Sequence, residues 1–241
     1  VAFAHGKETQ VLLDAVDVSA LLNSWDLNVD VEPGDTTTFK KDWKTFIPGL
    51  ADATAEASGF YDETQHTIRQ TLQTTPDSIV TWNPGGDVAV GDQARMMAVV
   101  TSNYKESSPV GGVVEFSWGL KGDDTLGVGH VYHVLGAETV TGFSTYVDGG
   151  AATLLGAVAH LHILAKSGTG SPTLTAKFRD ATSGAGAGLA DISGGAFTAA
   201  TVIGAQRLVI PGTIRQFVRV DWTISGTTPS FTFAVALARK Q

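Results

Sequence analysis

The chain has 241 residues, 28 glycines, no cysteine and a net charge of −8 from 24 acidic and 16 basic side chains. That length admits one large all-β domain or two smaller domains. Without cysteine there are no disulfides or thiolate metal sites, and so acidic a chain lacks the cationic surplus that grips nucleic acid.

In chain order, Val11–Leu13 and Val16–Val18 predict a hairpin turning at Asp14. Residues 25–32 alternate: Trp25, Leu27, Val29 and Val31 take one side of a strand, Asp26, Asn28, Asp30 and Glu32 the other. A run from Val31 to Ala51, VEPGDTTTFKKDWKTFIPGLA, follows. It is too long for a hairpin turn, and its Phe39, Trp43, Phe46 and Ile47 are too apolar for disorder. It predicts an arm that packs on something outside its own domain. The next strand, Ala53–Phe60, has small residues on one face. Asp62 with Gln65 three residues on forms a capping-box pattern for a short helix whose apolar side is Ile68 and Leu72. Strands follow at Ile79–Trp82, Ala94–Tyr104 and Val113–Lys121.

Residues 121–136 read as a connector, and no helical period follows them. Ala157–Leu164, Thr173–Phe178, Arg207–Ile210, Gln216–Ile224 and Phe231–Leu237 each alternate, separated by glycine- and serine-rich turns. Residues 1–134 hold 19 of the 24 acids and 8 of the 16 bases, which argues for two units. The expectation is therefore a mainly β protein. Residues 1–134 form a sandwich or barrel unit with one short helix and the long arm. Residues 135–241 form a self-contained jelly-roll or immunoglobulin-like sandwich.

Chemistry-bearing patterns are sparse. His160 and His162 share a strand face and are weak candidates for a metal, which would need a third ligand that the sequence does not identify. Asp26, Asp30 and Glu32 form a charged stripe along one strand rather than a converging site. No P-loop, nucleophile elbow, H-E-x-x-H or dinucleotide fingerprint is present. Neither an enzyme nor a cofactor is expected. No apolar run approaches the roughly 20 residues of a membrane span, and VAFAHGKETQ has neither the basic nor the apolar region of a signal peptide.

Two blocks carry a family resemblance: HGKETQVLLDAVDVSALLNSWDLNVDVE, and TTTFKKDWKTFIPGLADATAEASGFYD running on to SSPVGGVVEFSWGL. Over roughly residues 5–135 the chain resembles the tail tube (major tail) proteins of long-tailed phages, with TTTF and KTFIPGL as the most specific part. From VLGAETVTG through SFTFAVALAR it is similar to the C-terminal sandwich appended to some of them. The resemblance implies a virion tail protein assembled in the host cytoplasm. Such subunits form rings that stack into a tube, with tape-measure and other tail proteins as partners. DNA passes through the tube without specific binding. The second half does not repeat the first, so six copies per ring are expected rather than three. In this picture Phe39, Trp43, Phe46 and Ile47 make the contact between rings, and Asp26, Asp30 and Glu32 face the lumen. The other reading is a capsid-surface or tail-tip module that binds host carbohydrate through the C-terminal sandwich, where Phe143, Tyr146 and Phe217 would be its aromatic platforms.

Overall fold

The computed structural model describes residues 6–62, 78–86 and 89–240. The first strands in chain order are β1 (Gln10–Leu13), β2 (Val16–Asp17), β3 (Leu22–Asp35), β4 (Phe46–Phe60), β5 (Ser78–Asn83), β6 (Gln93–Ser107) and β7 (Glu115–Gly122). They are followed by β8 (Gly127–Glu138), β9 (Gly142–Phe143), β10 (Val147–Asp148), β11 (Ala157–Ala181), β12 (Ala190–Ala196), β13 (Gly204–Ile210) and β14 (Phe217–Arg239). The protein is mainly β and its strands pair antiparallel. The helix expected after Asp62, with Gln65, Ile68 and Leu72, lies outside the described residues.

The chain divides into two compact units, each discontinuous in sequence. Unit 1 comprises Val1–Ala20, Ser78–Met97 and Gly127–Gln241, and unit 2 comprises Leu21–Asp77 and Ala98–Leu126. The expected boundary at 134/135 falls inside β8, which pairs with β14 through Phe231↔Glu138 to Leu237↔His130. The segment 121–136 is thus no connector: β7 ends at Gly122, and β8 begins at Gly127. Its glycines hid the strand. Gly129 is bare because a Cβ there would lie 2.1 Å from the Leu237 carbonyl oxygen. The charge asymmetry is real but follows these units. Residues 21–77 and 98–126 hold 14 acids and 6 bases, the whole net charge of −8, and the rest of the chain is neutral.

Unit 1 is organised by β11 and β14, which pair from Ala157↔Arg239 to Ala181↔Phe217. The sequence predicts four separate strands here. Instead, each pair is one strand that bends where register shifts accumulate between Ser167 and Thr173. Gly168 and Gly226 sit at this bend with φ of +117° and +121°. A Cβ on Gly226 would lie 2.9 Å from Pro172 Cα, so only glycine fits. Both halves of the bent ribbon contribute to one core: Leu161, Ile163, Phe233 and Val235 from one, Phe178, Val218 and Val220 from the other, with Tyr132 of β8. The Tyr132 and Phe178 rings meet edge to face at 5.4 Å. The first half of β11 is buried on both faces. On its second face Val158 packs with Met96, Val131 and Ala236.

Unit 2 is a sheet in the order β3, β4, β7 and the later part of β6. The small residues of β4 have a packing reason. Ala57 lies between Trp25 and Trp118, and Ala55 between Leu27 and Leu120, so each central alanine is flanked by two large side chains. Trp118 and Leu120 are buried, and Phe116 stacks on Trp118 with centroids 5.4 Å apart. Gly59 completes the row, because a Cβ there would come within 2.0 Å of the Leu21 carbonyl oxygen.

Candidate assembly surface

The arm expected from Val31 to Ala51, too long for a hairpin turn, is a β-ribbon that continues the β3–β4 hairpin. Pairing runs past Val31↔Ala51, through a register shift, to Pro33↔Pro48, Gly34↔Ile47 and Asp35↔Phe46. The tip is fastened by bonds from Thr36 N–H to the Thr45 carbonyl (2.8 Å) and from Thr45 N–H to Thr37 Oγ1 (3.1 Å). Thr37 N–H also donates to Asp35 Oδ1 at 2.8 Å. The Thr37 hydroxyl and then its amide hold the Asp35 carboxyl below its usual range. The ribbon's backbone polar groups thus find partners within the arm itself, which an open loop of the same length would leave to water.

The ribbon's side chains are exposed nearly throughout. Phe39 is fully exposed, Trp43 is 85% exposed, and Phe46 and Ile47 are both over half exposed. The arm therefore does not fold back over its own sheet. Leu50, 89% exposed, and Val29 and Val31 join them. The sequence reading missed Leu50, although its place in the KTFIPGL block was a signal. Monomeric proteins seldom leave so many large apolar side chains in one segment uncovered.

Asp26, Asp30 and Glu32 lie exposed on β3, as their alternation predicts. The register adds what β3 alone could not show: Glu56 stands directly across from Asp26, and Asp52 across from Asp30. The signal was the polar side of ADATAEASG, which the alanines overshadowed. Like charges facing across a strand pair destabilise a sheet. Ser24 donates to Asp26 at 2.9 Å, Asn28 to Asp30 at 2.6 Å, and Lys121 pairs with Asp52 at 3.0 Å. All are exposed and screened by salt.

His160 and His162 do not occupy the solvated strand face that such a pair often marks. Both are buried in unit 1, on the side of β11 that faces β1 and β5. Thr81 Oγ1 lies 3.1 Å from His160 Nδ1 and 2.7 Å from His162 Nε2, and His162 Nδ1 lies 2.6 Å from the Asp14 carbonyl oxygen. Among the described residues no group of three metal-ligating side chains converges. His133 is likewise buried, stacked on Phe233 and edge-on to Trp222, and burial lowers its pKa. Of the aromatic platforms, Phe143 is exposed with the Arg219 guanidinium 4.2 Å from its ring centre, and Tyr146 lies on the same guanidinium at 5.3 Å.

No protein-family model and no curated protein matches this sequence. Among solved structures, the chain is similar to one in the virion of a native gene transfer agent particle, with TM-score 0.44 and 13% identity over 52% of this chain and 98% of that one. It is also similar to the SPP1 tail tube, with TM-score 0.41 and 14% identity over 50% of this chain and 76% of that one. A third is the SPP1 Dit protein, described as a hub of an adsorption apparatus, with TM-score 0.36 and 12% identity over 97% of this chain and 99% of that one. At these identities and TM-scores the likenesses carry no argument about function, which is read from the chain's own residues.

Proposed function

We propose that the chain is a non-enzymatic structural subunit of a phage tail, which polymerises into stacked rings around a DNA conduit. The observation that carries this reading is the projecting ribbon, pre-shaped by its own hydrogen bonds and presenting Phe39, Trp43, Phe46, Ile47 and Leu50 to solvent. Covering those side chains is favourable, and in a protein that repeats along an axis the covering surface is the neighbouring ring. The family resemblance of the TTTF and KTFIPGL blocks supports the same reading. The subunit then belongs to the virion tail, with six copies to a ring and other tail proteins as partners.

The acidic face gives the conduit its electrostatic character. Asp26, Asp30 and Glu32, with Asp52 and Glu56 beside them, repel phosphate where basic groups would release counterions and bind it. Replacing Asp26, Asp30 and Glu32 with lysine should slow DNA ejection and leave tubes of normal length. A structure of the assembled tube with these carboxylates on the outer wall would refute the placement.

The carbohydrate-binding reading has less support. Phe143 offers one exposed ring, but the Arg219 beneath it is already ion-paired to Asp221 at 2.7 Å. Negative-stain microscopy of purified protein separates the two readings. Tubes or stacked rings support the tail subunit, whereas monomers that bind a glycan array overturn it.

A further inference from the structure

The bonds around Thr81 form a one-way chain. A carbonyl oxygen can only accept, so the contact with the Asp14 carbonyl places a hydrogen on His162 Nδ1. In the neutral ring Nε2 must then accept, and the Thr81 hydroxyl donates its single proton there. The Thr81 oxygen in turn accepts from His160 Nδ1–H. Thr81 and both imidazoles are at most 1% exposed. The chain ties three elements together. Thr81 belongs to β5, the histidines to β11, and Asp14 turns β1 into β2 in the left-handed region with φ +48°. Asp14 is also clipped to β5, donating its N–H to the Ile79 carbonyl and accepting the Ile79 N–H at Oδ1.

We propose that this chain is an acid-sensitive clasp: while both imidazoles are neutral it fastens the β1–β2 hairpin and β5 onto β11, and protonation of the imidazoles releases that edge of unit 1. A proton added at His162 Nε2 would turn the Thr81 hydroxyl out of its bond, and either cation would sit in a buried site. The Val80 and Asp14 carbonyls favour a charge on His160 and His162, but burial outweighs them, and among the described residues no acidic side chain is paired with either ring. Arg207 of β13 stands across from His160 and repels it. His133 of β8 lines the same small cavity as His162. The Asp14 carboxyl is engaged with Ile79 N–H, and its pKa is raised by burial. Burial, followed by repulsion from His162 and Arg207, holds His160 well below the ordinary histidine range. Burial pushes His162 down to about 4.

The sign follows directly. An unfolded or released histidine takes up its proton near pH 6.5, whereas the folded pair does so only at lower pH. The clasp is therefore complete above about pH 6.5 and loosens as pH falls towards 4. Each histidine contributes up to about tenfold in the opening constant per pH unit, so the pair contributes up to about a hundredfold. Hydrogen exchange on the full chain at pH 7 and pH 5, corrected for intrinsic rates, tests this. Residues 10–17 and 78–83 should open at least tenfold more at pH 5, while 217–224 in the far half of β14 change little. The H160Q/H162Q double variant, with amides that bond but do not titrate, should lose this pH dependence. Direct NMR titration of the wild-type imidazoles decides the matter should that variant fail to fold: both rings must remain neutral at pH 5. Rings that titrate near 6.5, exchange that ignores pH, or a pH dependence that survives in the double variant would each overturn the proposal.

Discussion

Replacing Trp43 and Phe46 together with alanine should yield a subunit that folds normally and does not stack. Both side chains lie on the solvent side of the ribbon, where substitutions cost the isolated fold no more than about 0.5 kcal/mol. In an assembly each would be covered, and burying one such side chain contributes about 1.5–3 kcal/mol. Losing two removes roughly 3–6 kcal/mol per contact, which is two to four orders of magnitude in association. The ribbon keeps its shape in the variant, because the bonds among Asp35, Thr36, Thr37 and Thr45 do not involve the substituted side chains. Circular dichroism should show an unchanged melt. Sedimentation and microscopy should show rings or monomers in place of tubes. Tubes of normal length would take the arm out of the contact between rings.

A chain ending at Leu135 should be insoluble, contrary to what an independent C-terminal sandwich after residue 135 would give. The cut removes β11 and β14, against which Met96, Ala94 and Val131 pack. It also strips β8 of its β14 partner and leaves an open edge ready for aggregation. Each uncovered side chain forfeits about 1.5–3 kcal/mol, against a total stability of roughly 5–15 kcal/mol for a domain. The complementary fragment fares no better: without β1, β5 and β8 it loses Tyr132 from its core and leaves His160 and His162 facing water. Solubility, size-exclusion chromatography and a thermal melt check the result. A soluble fragment 1–135 that melts cooperatively would show that the N-terminal portion carries a complete core of its own.

Much of this protein was legible in its residues. Period-two alternation located β3 and β7 within a few positions, and short apolar runs between turn residues located β5 and β6. Alternation placed Trp222 inside and set Asp26, Asp30 and Glu32 along one exposed strand face. The apolar arm stood out because nothing in its own sheet needs those side chains. What alternation could not supply was partnership. Whether Ser167–Pro172 is a loop between two strands or a bend within one depends on β14 bending beside it at Gly226–Pro229. Whether Gly127–Gly136 is a linker or a central strand depends on Leu237 lying against Gly129. The cross-strand acids at Asp52 and Glu56 needed the β3–β4 register. The burial of His160 and His162 needed β5 to cover a second face of β11. The sequence by itself determined the β class, the exposed arm and the acidic stripe, since each depends on the spacing of neighbouring residues. Pairing and burial are long-range choices among strands with similar patterns. Only the tertiary structure decided the division into two interleaved units, the bent ribbon and the buried histidine chain.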